Sequence, residues 1–156
     1  MKKVSTKFIV LNGLMIALVF AATRFTAIPS PIPPGYFNLG DAIIMTGAVL
    51  LGRRTGLIAG ALGSMLADIA YGAFIYAPVT FVVKGLEGYI IGILAENKQA
   101  NRLPMVAKIT LSTLVGAIFM VAGYFVSEAT FLRAIDENLG FAAAVTNLPT
   151  NIAQGG

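Results

Sequence analysis

Five apolar runs follow one another along most of the chain with only short polar connections between them: Phe8 to Ile28, Tyr36 to Gly52, Thr55 to Tyr71, Pro78 to Ala95 and Met105 to Val126. A helix needs roughly 20 apolar residues to cross the hydrocarbon core of a bilayer, so a chain of this length holds about five crossings. The second and third runs are short, which predicts contact with thin bilayer or ends that lie in the interface. Apolar residues make up 57% of the 156 residues and charged ones 12%, and the mean hydropathy is +0.83. No ordinary soluble domain has that balance. The expected fold is an all-α membrane protein, a single domain over residues 1–156.

The connections set the expected orientation. "PSPIPPGYFNLGD" is a proline-rich loop and "GRRTG" reads as a tight polar turn. Lys2, Lys3, Lys7, Arg53, Arg54, Lys98, Arg102 and Lys108 fall in alternate connections, and the others hold only Arg133. Positive residues favour the cytoplasmic side, so the N-terminus should be cytoplasmic and the proline-rich loop, "YGAFIYAP" and "SEATFLRAIDENLG" outside. A cleaved signal peptide is the competing reading of "MKK" and the first run. That run outlasts a usual signal core, carries Arg24 and is followed by more spans, so a retained first helix is simpler. The final stretch, "FAAAVTNLPTNIAQGG", starts like a further helix and stops before it could cross. The expectation is five visible transmembrane helices plus the start of a sixth, most of which is missing.

Several function classes are excluded or weakened. With no Cys and no His, the chain has neither Cys-ligated metal nor a Ser–His dyad around Ser64. No cofactor or metal site is expected. The chain has no Gly-x-x-x-x-Gly-Lys-[Ser/Thr] loop, so it does not hydrolyse ATP by that route. The isoelectric point near 9.6 comes from residues scattered between apolar runs, not from a stripe that would suit nucleic acid.

Small residues recur at helical spacing. Gly13, Ala17 and Ala21 share one face of the first helix, which lets another helix approach closely, either inside the bundle or from a separate membrane subunit. Gly56 with Gly60, and Gly88 with Gly92, read as packing within the bundle.

Polar residues are unexpected in spans, and they gather toward one membrane face. Lys84 lies about 9 Å inward from Pro78, and Glu87 follows one turn deeper on the same side of the helix. Two readings stand: a permanent Lys84–Glu87 bridge that fixes helix register, or the lining of a ligand cavity open to the outside. Asp68, Tyr71 and Tyr76 lie at the outer end of the third helix and just beyond it. Asn38 and Asp41 lie where the second begins, and Asn147, Asn151 and Gln154 in the last segment. Tyr36, Phe37, Tyr71 and Tyr76 suit stacking on a flat ring or anchoring at the interface. Asp41 also reads as an N-cap, and Arg24 as a residue snorkelling to the outer interface.

"GYFNLGDAIIMTGAVLLG", "GLIAGALGSMLADIAYG", "APVTFVVKGLEGYIIGIL" and "NLPTNIAQGG" together resemble the riboflavin-type S components of energy-coupling-factor (ECF) vitamin transporters. The resemblance covers most of the chain. It implies a six-helix subunit that captures a vitamin or vitamin precursor, riboflavin-like first, and works with a membrane coupling subunit and two cytoplasmic ATPase subunits. It assigns Ala17 and Ala21 to the coupling-subunit contact and the stretch from Pro31 to Leu39 to covering the ligand. The alternative is a small structural or ion-conducting membrane protein.

Overall fold

The computed structural model describes residues 5–29, 36–97 and 103–155. Lys2, Lys3, Lys98, Arg102 and the positions from Pro31 to Gly35 in the expected covering loop lie outside them. Six α-helices are present among the described residues: α1 (Thr6–Phe25), α2 (Gly40–Leu51), α3 (Arg53–Tyr71), α4 (Ala77–Glu96), α5 (Met105–Ala129) and α6 (Phe141–Gly155). Two short strands, β1 (Ile28–Pro29) and β2 (Tyr36–Phe37), pair antiparallel between α1 and α2. A 3-10 turn at Leu132–Ala134 extends α5. Three helices are long and apolar enough to cross a membrane: α1, α4 and α5 with that extension. The apolar α2 is shorter, and α3 carries Arg53, Arg54 and Asp68.

Local chemistry fixes the helix ends. Ser5 Oγ accepts the Phe8 N–H at 3.2 Å and caps α1. Pro78 sits in the first turn of α4, where a missing N–H does no harm. Gly72 ends α3 in the left-handed conformation, and its N–H reaches the Asp68 and Ile69 carbonyls. The expected "GRRTG" turn is corrected: Arg53 and Arg54 form the first turn of α3, and Gly52 alone makes the corner, at φ 91°. The Glu96 carboxylate at the end of α4 accepts the Arg53 N–H at 2.9 Å, supplying an acceptor that the short sequence pattern around Gly52 does not show. The second segment is also corrected. Its helix begins at Gly40, because Tyr36 and Phe37 are used in β2.

α3 and α4 form the closest helix pair. A methyl group on Gly56 would run into the Gly88 carbonyl, and one on Gly60 into the Lys84 carbonyl. Contact of this kind is open only to helices without side chains at the crossing. Met15, Val19, Ile44 and Ala59 fill the space between α1, α2 and α3. Tyr76, Val83, Met120, Tyr124, Leu132, Leu139 and Ala143 form a second core among α4, α5 and α6. Large apolar side chains such as Ile9, Leu14, Leu114 and Ile118 point outward, as suits a surface that meets lipid tails.

α1 buries Asn12, Met15, Val19 and Thr23. Its small-residue face is turned away: Gly13 and Ala17 are exposed and Ala21 half-buried, and a methyl group on Gly13 would meet nothing within 4 Å. α6 runs antiparallel to α5, with Asn147 beside Glu128 and Gly155 against Ala117 and Met120.

Candidate functional site

All six helices send polar side chains to one end of the bundle, each at the spacing that keeps a helix face inward. Ser64 and Asp68 come from α3, Thr80, Lys84 and Glu87 from α4, and Tyr124 and Glu128 from α5. α6 supplies Asn147, Thr150, Asn151 and Gln154, α1 supplies Thr23, Asn38 comes from just before α2 and Asp41 from its first turn. Most of these groups are buried. Such residues at membrane depth are tolerated only when paired or facing a cavity, and both conditions occur here.

Lys84 is the centre of the deeper half. Its Nζ donates to Asp41 Oδ1 and lies 3.3 Å from Glu87 Oε2. The expected Lys84–Glu87 pair is therefore present, but within a triad. The sequence does not predict Asp41 as the partner, because α2 and α4 meet only in the fold. Asp41 is not the N-cap: Leu39 holds that position without a side-chain bond, and Asn38 Oδ1 accepts the Gly40 N–H at 2.7 Å. With Asn38 serving the helix end, Asp41 is free to turn inward.

Gln154 ties this triad to the segment before α2. Its Oε1 accepts from the Asn38 backbone N–H at 3.1 Å and from Asn38 Nδ2 at 3.0 Å, and its Nε2 donates to Asp41 Oδ2 at 3.3 Å. In the shallower half, the Tyr36 hydroxyl donates to Asp68 Oδ1. The Tyr76 hydroxyl donates to Glu128 Oε1 at 3.1 Å, and Asn147 Nδ2 to Glu128 Oε2 at 3.4 Å. Burial, and then the adjoining carboxylates, push both tyrosines far above the usual phenol range, so they keep the protons they donate.

These side chains line a cavity of about 40 Å³, and every side chain lining it has a hydrogen-bonding group. That volume takes about three water molecules; a heterocycle fits only if the walls part. Several buried polar atoms at the site have no hydrogen-bond partner among the described residues: Thr23 Oγ1, Asp68 Oδ2, Asn151 Nδ2 and, behind Lys84, Glu87 Oε1. An unpaired buried group typically costs about 1–3 kcal/mol, so the lining offers bonds that the folded chain alone does not use.

Of the expected site residues, Asn38, Asp68, Tyr76, Lys84, Asn151 and Gln154 line the cavity. Asp41 and Glu87 stand behind Lys84. Tyr71 stands behind Tyr36, its ring centroid 4.4 Å away, with the Arg24 guanidinium 5.7 Å over it. Arg24 is thus stacked on an aromatic ring. Gly13, Ala17 and Ala21 are on the outer face of α1, away from the cavity. Sequence reasoning missed Thr23, Ser64, Thr80, Tyr124, Glu128 and Thr150. Glu128 falls in the expected outer loop because the apolar run stops at Val126, yet α5 continues to Ala129; its spacing of four from Tyr124 is the available signal. The hydroxyl residues carry no such signal, because a serine or threonine inside a helix can bond to its own backbone.

The family described as "ECF-type riboflavin transporter, S component" matches residues 3–156. The chain belongs to this family. It is therefore a membrane transporter component and not an enzyme, as expected from the sequence. It is 41% identical over 106 residues, 68% of this chain and 68% of the relative, to a Pyrococcus woesei protein named "Uncharacterized protein in gap 3'region". It is 28% identical over 149 residues, 95% of this chain and 78% of the relative, to the thiamine precursor transporter HmpT of Lactococcus lactis subsp. cremoris. A UPF0397 protein of Lactobacillus helveticus is 34% identical over 99 residues, 62% of this chain and 52% of the relative.

Proposed function

We propose that the chain is the substrate-capturing unit of an ECF importer, taking a vitamin or vitamin precursor from outside the cell membrane into the cavity at the Asp68–Lys84–Glu128 end. The observation that carries this reading is the cavity itself, lined by side chains that all carry a hydrogen-bonding group and drawn from α1, α3, α4, α5, α6 and the segment before α2 of a transporter-family chain. Unpaired bonding atoms around such a chamber favour a bound ligand over a purely structural or ion-conducting role. The flat-ring preference rests on Tyr36, Tyr76 and Tyr124 around the cavity. The family name includes riboflavin, and the name of one relative a thiamine precursor.

Lys7, Arg53, Arg54 and Lys108 mark the opposite end of the bundle, so the positive-inside bias puts the N-terminus in the cytoplasm and the cavity outside. On this reading α1 to α5 cross the bilayer and α6 enters it beside α5 from the cavity end. S components of ECF transporters work in general with a membrane coupling subunit and ATPases. The open face at Gly13, Ala17 and Ala21 is the surface assigned here to the coupling subunit, with two cytoplasmic ATPases supplying energy.

The test is binding to the purified subunit in detergent, followed by uptake in cells with and without the coupling subunit and ATPases. Retention of a heterocyclic vitamin or precursor by the isolated subunit, and uptake only with all partners, is the expected result. An isolated subunit that binds none of these compounds, in cells whose uptake ignores the partners, would refute the reading.

A further inference from the structure

The charges around the cavity are unequal, and the inequality bears on what the cavity admits. Among the described residues, Lys84 supplies the one ammonium group in its lining, and Asp41 and Glu87 already hold it. The two other carboxyl groups, on Asp68 and Glu128, are met by neutral donors: the Tyr36 hydroxyl for one, and the Tyr76 hydroxyl and Asn147 amide for the other. Arg24 is stacked on Tyr71 and does not line the cavity. Carboxyl groups thus outnumber cations at a depth where water screens poorly. A cation brought into such a chamber favours the ionised form of Asp68 and Glu128, whereas an anion finds no free counterion there.

The unpaired atoms point the same way. Asp68 Oδ2 and Thr23 Oγ1 belong to side chains that are only 4% and 3% exposed, and neither atom has a hydrogen-bond partner among the described residues. Asp68 Oδ2 accepts, so it calls for an N–H or cationic donor on the ligand; Asn151 Nδ2 calls for one acceptor. The tyrosine faces add a surface that attracts positive charge, as the Lys84 ammonium 5.5 Å over the Tyr124 ring already shows.

Resting on the importer reading above, we propose that the cavity selects a small nitrogen heterocycle bearing a positive charge, with Asp68 and Glu128 as the specificity-determining carboxylates, and rejects phosphorylated or carboxylated forms. The ligand's charge replaces the missing counterion, and its ring lies among the tyrosines.

Matched probes test this on the purified full chain. Pyridoxamine and pyridoxine differ by an ammonium against a hydroxyl group on one ring, thiamine and thiamine monophosphate by an added anion, and riboflavin is an uncharged reference. Pyridoxamine should bind more tightly than pyridoxine, thiamine more tightly than its monophosphate, and thiamine more tightly than riboflavin. Asp68→Asn and Glu128→Gln should each narrow the pyridoxamine-to-pyridoxine ratio by about 10- to 100-fold, the range of one charge-assisted bond. Because that ratio is measured within one variant, partial loss of folded protein does not alter it. Riboflavin as the tightest probe, or ratios unmoved by both substitutions, would overturn the charge assignment and leave the importer reading intact. Binding of no probe at all would overturn both.

Discussion

Lys84 shows how a single residue can be legible in the sequence while its full setting is not. Its presence in an apolar run, three positions before Glu87, predicts pairing with that residue or a place in a polar cavity, and it has both. The triad with Asp41 was not readable, because α2 and α4 are brought together by the fold and not by spacing. The consequence is an asymmetry under mutation. Lys84→Met should leave Asp41 and Glu87 facing each other without a counterion and lower stability by about 3–5 kcal/mol. Adding Asp41→Asn and Glu87→Gln to that variant should recover most of the loss. Thermal unfolding in detergent reads both, and a single Lys84→Met variant as stable as the parent would show that the triad does not hold the deep half together. The same triad bears on ligand binding, since Lys84 lines the cavity while its two carboxylates stand behind it.

The helices divide into those that hydropathy finds unaided and those it does not. α1, α4 and α5 came out within a few residues of their apolar runs, because unbroken apolar sequence and helix coincide in a bilayer. The borders of α2 and α3 were lost to local chemistry: two arginines resemble a turn until Gly52 and Glu96 are seen to make the corner and its acceptor. Gly56 and Gly88 were correctly legible as packing positions, and they carry the sharpest test at this scale. Gly56→Leu should prevent α3 and α4 from closing, with loss of folded protein by size-exclusion profile, whereas Gly13→Leu on the open face of α1 should leave the isolated subunit folded. The face itself is tested by Ala17→Trp. Uptake by the assembled transporter should fall to background with ligand binding by the isolated subunit kept, and equal loss of both would instead place Ala17 in the subunit's own packing.

Across the described residues the polar cavity occupies one end and Lys7, Arg53, Arg54 and Lys108 the other, and this polarity is what the proposed orientation rests on. A chain without cysteine lends itself to labelling by introduced ones. A membrane-impermeant maleimide applied to intact cells should label Asn138→Cys and leave Arg54→Cys untouched. The reverse pattern would invert the protein in the membrane. The bonds of Gln154 to Asn38 and Asp41 add a kinetic dimension to this picture. A cavity of about 40 Å³ admits a ring only when its walls part, so the rate of capture should scale with the fraction of chains in which they have parted. Gln154 fastens the last helix to the segment before α2 at the edge of the cavity. Loosening it with Gln154→Ala should quicken both arrival and departure of the ligand in stopped-flow traces. One side chain would then set both how fast a ligand enters and how long it stays.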